Sequence, residues 1–311
     1  MRLSEAADRP RLVFLLGATR SGSTVLNAIL GAHPSVVAVG ELFHLLRLDH
    51  GDPRVCACGK EVGACELWGR VLDGWRKRQP DLDTAAYLLA QDRFERYRRL
   101  LGILGQARRP SAEFSRYARW TAALIEATAE ISGRSVVADS SKHPPRALAL
   151  ILSGAARPVL IHVVRDPRGV AWSKVKYLRR PWGHPWLNRP LPLAARTALD
   201  WVGINLFAEH LMRLDGIRSL RVRYEDLVDD PRTELSRIGK VTGLDLSRLA
   251  ADLAAGTTLV YGHIVAGNRA RFRPGRQLAK DLDWSASSPR WMRVLVWSVT
   301  APVARRYGYR W

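Results

Sequence analysis

Apolar positions along this chain follow two rhythms. Short unbroken runs occur at 12–16, 36–39, 135–138, 159–164 and 220–223. Runs this short, with few polar interruptions, suit strands covered on both faces, as in a parallel sheet. Elsewhere the apolar residues return every three or four positions. Val25, Leu26, Ile29 and Leu30 form such a stripe directly after the first run, and Pro167 and Asp230-Pro231 mark the first turns of two more helices. A long segment at about 66–133, rich in Leu, Ala and Arg, reads as several helices inserted between the second and third strands. Strands alternating with helices predict an α/β fold: a mainly parallel central sheet flanked by helices. The 311 residues then form one domain, 1–311, with the insertion as a helical cap.

The chemistry begins where the first strand ends. "GATRSGST" carries Gly17, Arg20, Ser21, Gly22, Ser23 and Thr24 between a buried strand and a helix. At that junction backbone N–H groups and the helix dipole converge on one point and favour an anion. The glycines let the backbone approach it closely. The spacing is that of a nucleotide-binding P-loop, yet Ser23 stands where the ATPase motif has Lys. The cation lies instead at Arg20, inside the loop, and an Arg fork holds one phosphate or sulfate without a metal. An ordinary glycine-rich turn accounts for the loop taken alone. A second motif, "VVRDPRGVAWS", ends the fourth strand at Arg165 and places Ser173 on the helix that follows. Arg165 either pinches a second phosphate with Ser173 or pairs with Asp166. Two phosphate-type sites on strand ends fit a nucleotide with phosphates at both ends.

With both motifs in hand, the sequence resembles the sulfotransferases that use 3′-phosphoadenosine 5′-phosphosulfate (PAPS), especially bacterial members related to tyrosylprotein sulfotransferases. "GATRSGST" is similar to that family's 5′-phosphosulfate loop and "VVRDPRGVAWS" to its 3′-phosphate motif. "HPSVVAVGE", "DSSKHPPRAL", "RYEDLVDDPRTEL" and "GNRARF" follow the family order across nearly the whole chain. In "GNRARF" the family pattern leads one to expect Pro after Asn268, where this chain has Arg269. The resemblance implies PAPS as co-substrate and a hydroxyl-bearing acceptor, and no metal is expected in the transfer because Arg20 supplies the loop's cation and Ser23 replaces the Lys of the Mg²⁺-dependent motif. The resemblance places Glu41 at the family's catalytic base. It also sets Arg20 and Lys142 against the transferring sulfuryl group, and Arg271 and Arg273 toward the adenosine end. His143 is the rival base, because His titrates near neutral pH. It lies one residue beyond Lys142, whereas the His of some cytosolic relatives lies two beyond the equivalent Lys.

Charge adds little. The formal charge of +20 suits an anionic partner, but all except seven of the 49 basic residues are Arg, a bias that genome composition also produces. Two other readings stay open: a P-loop kinase or NTPase-like phosphotransferase, and a basic nucleic-acid-binding protein. The first needs the missing loop Lys and a Mg²⁺ carboxylate, for which Asp139 is available. The second needs a repeated Arg and aromatic surface, in place of ordered phosphate loops, so no nucleic-acid partner is expected. Cytoplasmic location is expected, since the run 12–16 is too short for a signal-peptide core and no run approaches the ~20 apolar residues of a membrane span. The apolar segment 291–304, flanked by Arg290, Arg293, Arg305 and Arg306, reads as a packed terminal helix. Its basic flanks offer peripheral contact with the inner membrane face as an alternative. Cys56, Cys58 and Cys65 match no standard zinc spacing and read as free thiols or one facultative disulfide. His44 and His50 are the fourth ligands within sequence reach if a metal binds there.

Overall fold

A computed structural model of the chain describes residues 10–47, 55–176, 189–272, 275, 277–279 and 283–311. Its centre is a five-stranded sheet in the order β2-β3-β1-β4-β5, parallel at every pairing. The strands are β1 (Arg11–Leu16), β2 (Val36–Gly40), β3 (Val136–Lys142), β4 (Pro158–Val164) and β5 (Ser219–Arg223). All five sequence-predicted strands are present. The third runs to Lys142, four residues beyond the apolar run, because Asp139, Ser140 and Ser141 are buried there as a polar strand end.

Alternation along β1 explains the two layers. Leu12, Phe14 and Leu16 point into one apolar cluster and Val13 and Leu15 into another on the opposite face. The first cluster is closed by the insertion, which forms α2 (Glu66–Arg78), α3 (Thr84–Phe94), α4 (Leu100–Gln106) and α5 (Ala112–Ser132). Local signals delimit these helices: Asp83 caps α3, Ser111 caps α5, and Gly133 ends α5 at φ 65°. Trp68, Trp75 and Trp120 are fully enclosed in that layer, each fully buried large side chain contributing roughly 2–3 kcal/mol. α6 (Pro144–Ser153) and the far part of α8 (Pro190–Met212) complete the same face. The other face is covered by α1 (Ser23–Gly31), α9 (Tyr224–Asp229), α10 (Pro231–Thr242) and α11 (Ser247–Ala254).

The remaining helices are α7 (Pro167–Lys176), α12 (Asp283–Ser287) and α13 (Arg290–Arg306). α13 buries Met292, Val296, Trp297, Val303 and Ala304 against α7 and α8, so this terminal helix is packed along one face. No helix among the described residues is long and apolar enough to cross a membrane.

Placement of the site follows from topology. The chain leaves β1, adds β2 and β3 on one side, then crosses to β4 and β5 on the other. In open parallel sheets, such a switch opens a crevice at the carboxyl ends of the strands.

Candidate active site

The phosphate loop sits at that crevice. Gly17 follows β1 at φ 144°, and a Cβ there would lie 2.2 Å from the Val163 carbonyl oxygen of β4, so only glycine fits. Gly22 caps α1 in the left-handed region, and no side chain closes the helix N-terminus. Ser21, Ser23 and Thr24 are buried, and the Ser21 hydroxyl has no hydrogen-bond partner among the described residues. Tyr224, from the "RYEDLV" motif, packs its ring against Gly22, where a Cβ would approach within 2.4 Å. Sequence reading assigned Tyr224 no role; here it backs the loop.

Three non-glycine residues among those described have positive φ: Arg20 at 72°, Lys142 at 67° and Ala266 at 55°. Such conformations cost energy and persist where surrounding structure holds them. Two of the three are the cations expected beside the reacting group, and the third adjoins Gly267.

Glu41 leaves β2 through a kink that α1 controls. The buried Asn27 donates to the Ala138 carbonyl at 2.8 Å and accepts from the Gly40 N–H at 3.0 Å, bridging β2 and β3 where their register shifts. The Glu41 carboxylate then meets Lys142 through one oxygen, while His44 Nε2 lies 3.6 Å from the other. The Glu41 N–H donates to the Val265 carbonyl at 2.8 Å. Gly267 lies against both Glu41 and Thr24: a Cβ there would be 3.1 Å from Glu41 Oε1 and 3.0 Å from Thr24 Oγ1. The structure thus gathers Glu41, Lys142 and the start of α1 in one place.

His143 differs. It stacks on Phe43 at 4.8 Å between ring centroids. Burial, then the charges of His44, Lys142, Arg96 and Arg146, push its imidazole down to about 3. That removes the near-neutral titration that recommended it as a base. Arg146 itself is fully buried and grips Glu95 with one nitrogen, at 2.7 and 2.8 Å, and Asp139 at 3.2 Å. Asp139 is further held by Ser141 and by the Leu42 N–H.

On the β4 side, Arg165 donates to the Arg20 carbonyl at 3.3 Å and lies over the Tyr224 ring at 5.1 Å. Gly169 leaves room for it, since a Cβ there would sit 3.3 Å from Arg165 Nε. The Asp166 carboxylate is gripped by Arg168, at 2.7 and 3.0 Å. Ser173 is buried on the second turn of α7. The segment after Val265 folds over the loop, with the Asn268 N–H donating to Thr24 Oγ1 at 3.3 Å. Arg271 is buried there and donates to the Gly267 carbonyl at 2.9 Å. Arg273 lies outside the described residues.

A profile described as the sulfotransferase family matches residues 10–248. The chain belongs to the sulfotransferase family. Solved structures similar to this sulfotransferase share its fold at low identity. The sulfotransferase domain of the Synechococcus PCC 7002 olefin synthase matches with a TM-score of 0.54 at 20% identity, covering 97% of this chain and 96% of that one. The sulfotransferase domain of the curacin biosynthetic pathway matches with a TM-score of 0.51 at 18% identity, covering 97% and 98%. Sulfotransferase STF9 of Mycobacterium avium matches with a TM-score of 0.50 at 15% identity, covering 98% and 78%. No curated protein sequence matches.

The histidine beside the three cysteines is one the sequence reading did not single out. Cys56, Cys58 and Cys65 meet His263, about two hundred residues downstream, with their ligand atoms all within 4.8 Å of one another. His44, one of the two histidines within sequence reach, serves Glu41 instead, and His50 lies outside the described residues. In the structure all three thiols are free.

Proposed function

We propose that this sulfotransferase moves the sulfuryl group of PAPS to an acceptor hydroxyl, with Glu41 as the base. The observation that carries the reading is that Lys142, held at positive φ, meets Glu41 beside Thr24 of the Gly17–Thr24 loop, in which Arg20 is also held at positive φ. The buried Ser21 hydroxyl, without a partner among the described residues, and the α1 N-terminus, which no side chain caps, are the donor set an anion needs there.

PAPS supplies an activated sulfuryl group with adenosine 3′,5′-bisphosphate as its leaving group. The Gly17–Thr24 loop binds the 5′ end, and Arg165 with Ser173 binds the 3′-phosphate. Glu41 takes the proton of the acceptor hydroxyl as its oxygen attacks sulfur in line. Arg20 and Lys142 stand where negative charge grows on the sulfuryl and departing oxygens, and groups so placed are worth several kcal/mol. Lys142 has a double use: it pairs with Glu41 at rest and can turn its ammonium to the departing oxygen during transfer.

A phosphotransferase reading needs a strand-end carboxylate for Mg²⁺. Asp139 is committed to Arg146, Ser141 and the Leu42 N–H, which counts against that reading. In Mg²⁺-free buffer, adenosine 3′,5′-bisphosphate is expected to raise Tm by several degrees, and ATP with Mg²⁺ to do little. Arg165→Ala is expected to weaken the bisphosphate about 10- to 100-fold, the worth of a charged hydrogen bond, and adenosine 5′-phosphate far less. Calorimetric titration measures both. Equal losses, or a preference for ATP with Mg²⁺, overturn the assignment, as does failure to transfer label from PAPS to any acceptor in extracts of the source cell.

A further inference from the structure

The transfer chemistry leaves one reactive cluster unused. Cys58 Sγ lies 3.8 Å from Cys65 Sγ, and His263 Nδ1 lies 3.2 Å from Cys65 Sγ and 3.6 Å from Cys56 Sγ. Tetrahedral zinc, with Zn–S near 2.3 Å and Zn–N near 2.0–2.1 Å, sets its ligands about 3.8 Å apart between sulfurs and about 3.6 Å from sulfur to nitrogen. We propose that Cys56, Cys58, Cys65 and His263 bind a structural zinc ion.

Backbone structure prepares the site. Gly59, at φ 85°, closes a turn in which its N–H donates to the Cys56 carbonyl at 2.9 Å, while the Cys56 N–H donates to the Lys60 carbonyl at 2.9 Å. Cys65 comes from the N-cap of α2. His263 is held by the Trp68 indole, whose N–H donates to the His263 carbonyl at 2.7 Å. When Nδ1 ligates zinc, the ring proton is carried on Nε2.

Ligand chemistry chooses the ion and its role. Three thiolates and an imidazole select zinc over the oxygen-seeking Mg²⁺ and Ca²⁺. Four protein ligands close the coordination sphere, which marks structural rather than catalytic zinc. A disulfide between Cys58 and Cys65 needs their sulfurs at about 2.05 Å, well inside the 3.8 Å that separates them.

The location gives the ion a task. Val265, two residues after His263, bridges to both Gly40 and Cys56, and its carbonyl accepts from the Glu41 N–H. The Ala57 N–H donates to the Ile264 carbonyl at 2.9 Å. Zinc bound here ties the Cys56–Cys65 loop to the segment that supports Glu41 from behind and then passes over Thr24. This inference is independent of the donor's identity.

The test is metal analysis of the full chain, purified without added metal. About one zinc per chain is expected, resistant to dialysis and released when the thiols are modified. Cys58 is exposed, so its substitutions leave the core alone. Cys58→Ser is expected to lower zinc affinity by more than about 100-fold and Tm by at least about 5 °C. Cys58→His, which restores a ligand, is expected to recover both. Cobalt substituted for zinc is expected to give the visible bands of a tetrahedral, thiolate-rich site and to lose them in Cys58→Ser. The proposal is overturned if the purified chain holds no zinc and gains no Tm from added zinc. Stoichiometric zinc retained by Cys58→Ser, or a disulfide found among the three cysteines in native protein, overturns it equally.

Discussion

Two carboxylate–cation groups share one strand end and the helix turn after it. Lys142 closes β3 and pairs with Glu41; Asp139 lies three residues earlier, Arg146 four residues later, and Arg146 joins Asp139 to Glu95. The side-chain chemistry is the same, but the surroundings are not. In the Arg146 group every charged side chain is at most 1% exposed, and the second negative charge is balanced by neutral donors: the Tyr117 hydroxyl at 2.5 Å from Glu95, the Ser141 hydroxyl and two backbone N–H groups at Asp139. Apart from Arg146 Nη2, which has no partner among the described residues, its bonds end on protein, and full burial withholds the group from a ligand. It fixes the insertion, through Glu95 and Tyr117, to the sheet. The Glu41–Lys142 pair is 12% and 7% exposed and borders the crevice, with Lys142 on strained backbone. A cation and a carboxylate become structural when every lone pair is used within the fold, and available for chemistry when a little solvent access remains.

The largest effect expected from this contrast is on turnover. Glu41→Gln keeps shape while losing proton affinity, so single-turnover transfer falls roughly 10²- to 10⁴-fold, with Tm and bisphosphate affinity nearly unchanged. Near-normal transfer by Glu41→Gln erases the functional half of the comparison.

Next in size is the opposite pattern at Arg146. Arg146→Met strands two buried carboxylates and is expected to lower stability by about 3–5 kcal/mol, measured by urea unfolding. The fraction that remains folded keeps bisphosphate affinity within a few-fold. If Arg146→Met aggregates, the milder Glu95→Gln is expected to show a smaller loss in the same direction. A variant that keeps wild-type stability but loses transfer would reverse the two roles.

The smallest effect belongs to His143, which lies between the groups. His143→Asn is expected to change transfer less than about 10-fold, because an imidazole held near 3 is a poor proton acceptor. Its signature is in acid stability. The folded pKa is depressed from about 6.5, so between about 3 and 6.5 the unfolded chain binds the proton and the folded chain does not. Stability from this group is present above pH 6.5 and is lost as pH falls through that window. His162, pushed down to about 4 chiefly by burial, acts in the same sense. A Tm-against-pH series is expected to fall less steeply below pH 6.5 in His143→Asn than in the wild type. Parallel curves would show that the imidazole is not buried as described.

Much of this was legible before any coordinates. Five apolar runs marked five strands, since strands covered on both faces have no polar period to hide them. The Gly17–Thr24 loop and the Arg165 corner were legible because each is local backbone, a strand end and a helix start within a few residues. Where apolar patterning failed was the polar end of β3. Asp139 to Lys142 are buried against one another and the crevice, so hydrophobicity stopped before the strand did.

What the sequence by itself determined is therefore the parallel α/β order, the helical insertion and the two phosphate-type motifs, each set by contacts between near neighbours along the chain. Only tertiary structure decided the rest. Glu41 met Lys142 across one hundred residues, and Arg146 was committed to Glu95 and Asp139. The imidazole that joined the three cysteines was His263, not the nearby His44. The physical reason is common to all three. A charge or ligand takes its role from burial and from the partners that complete its bonding, and those partners arrive from distant strand ends that only the folded sheet brings together.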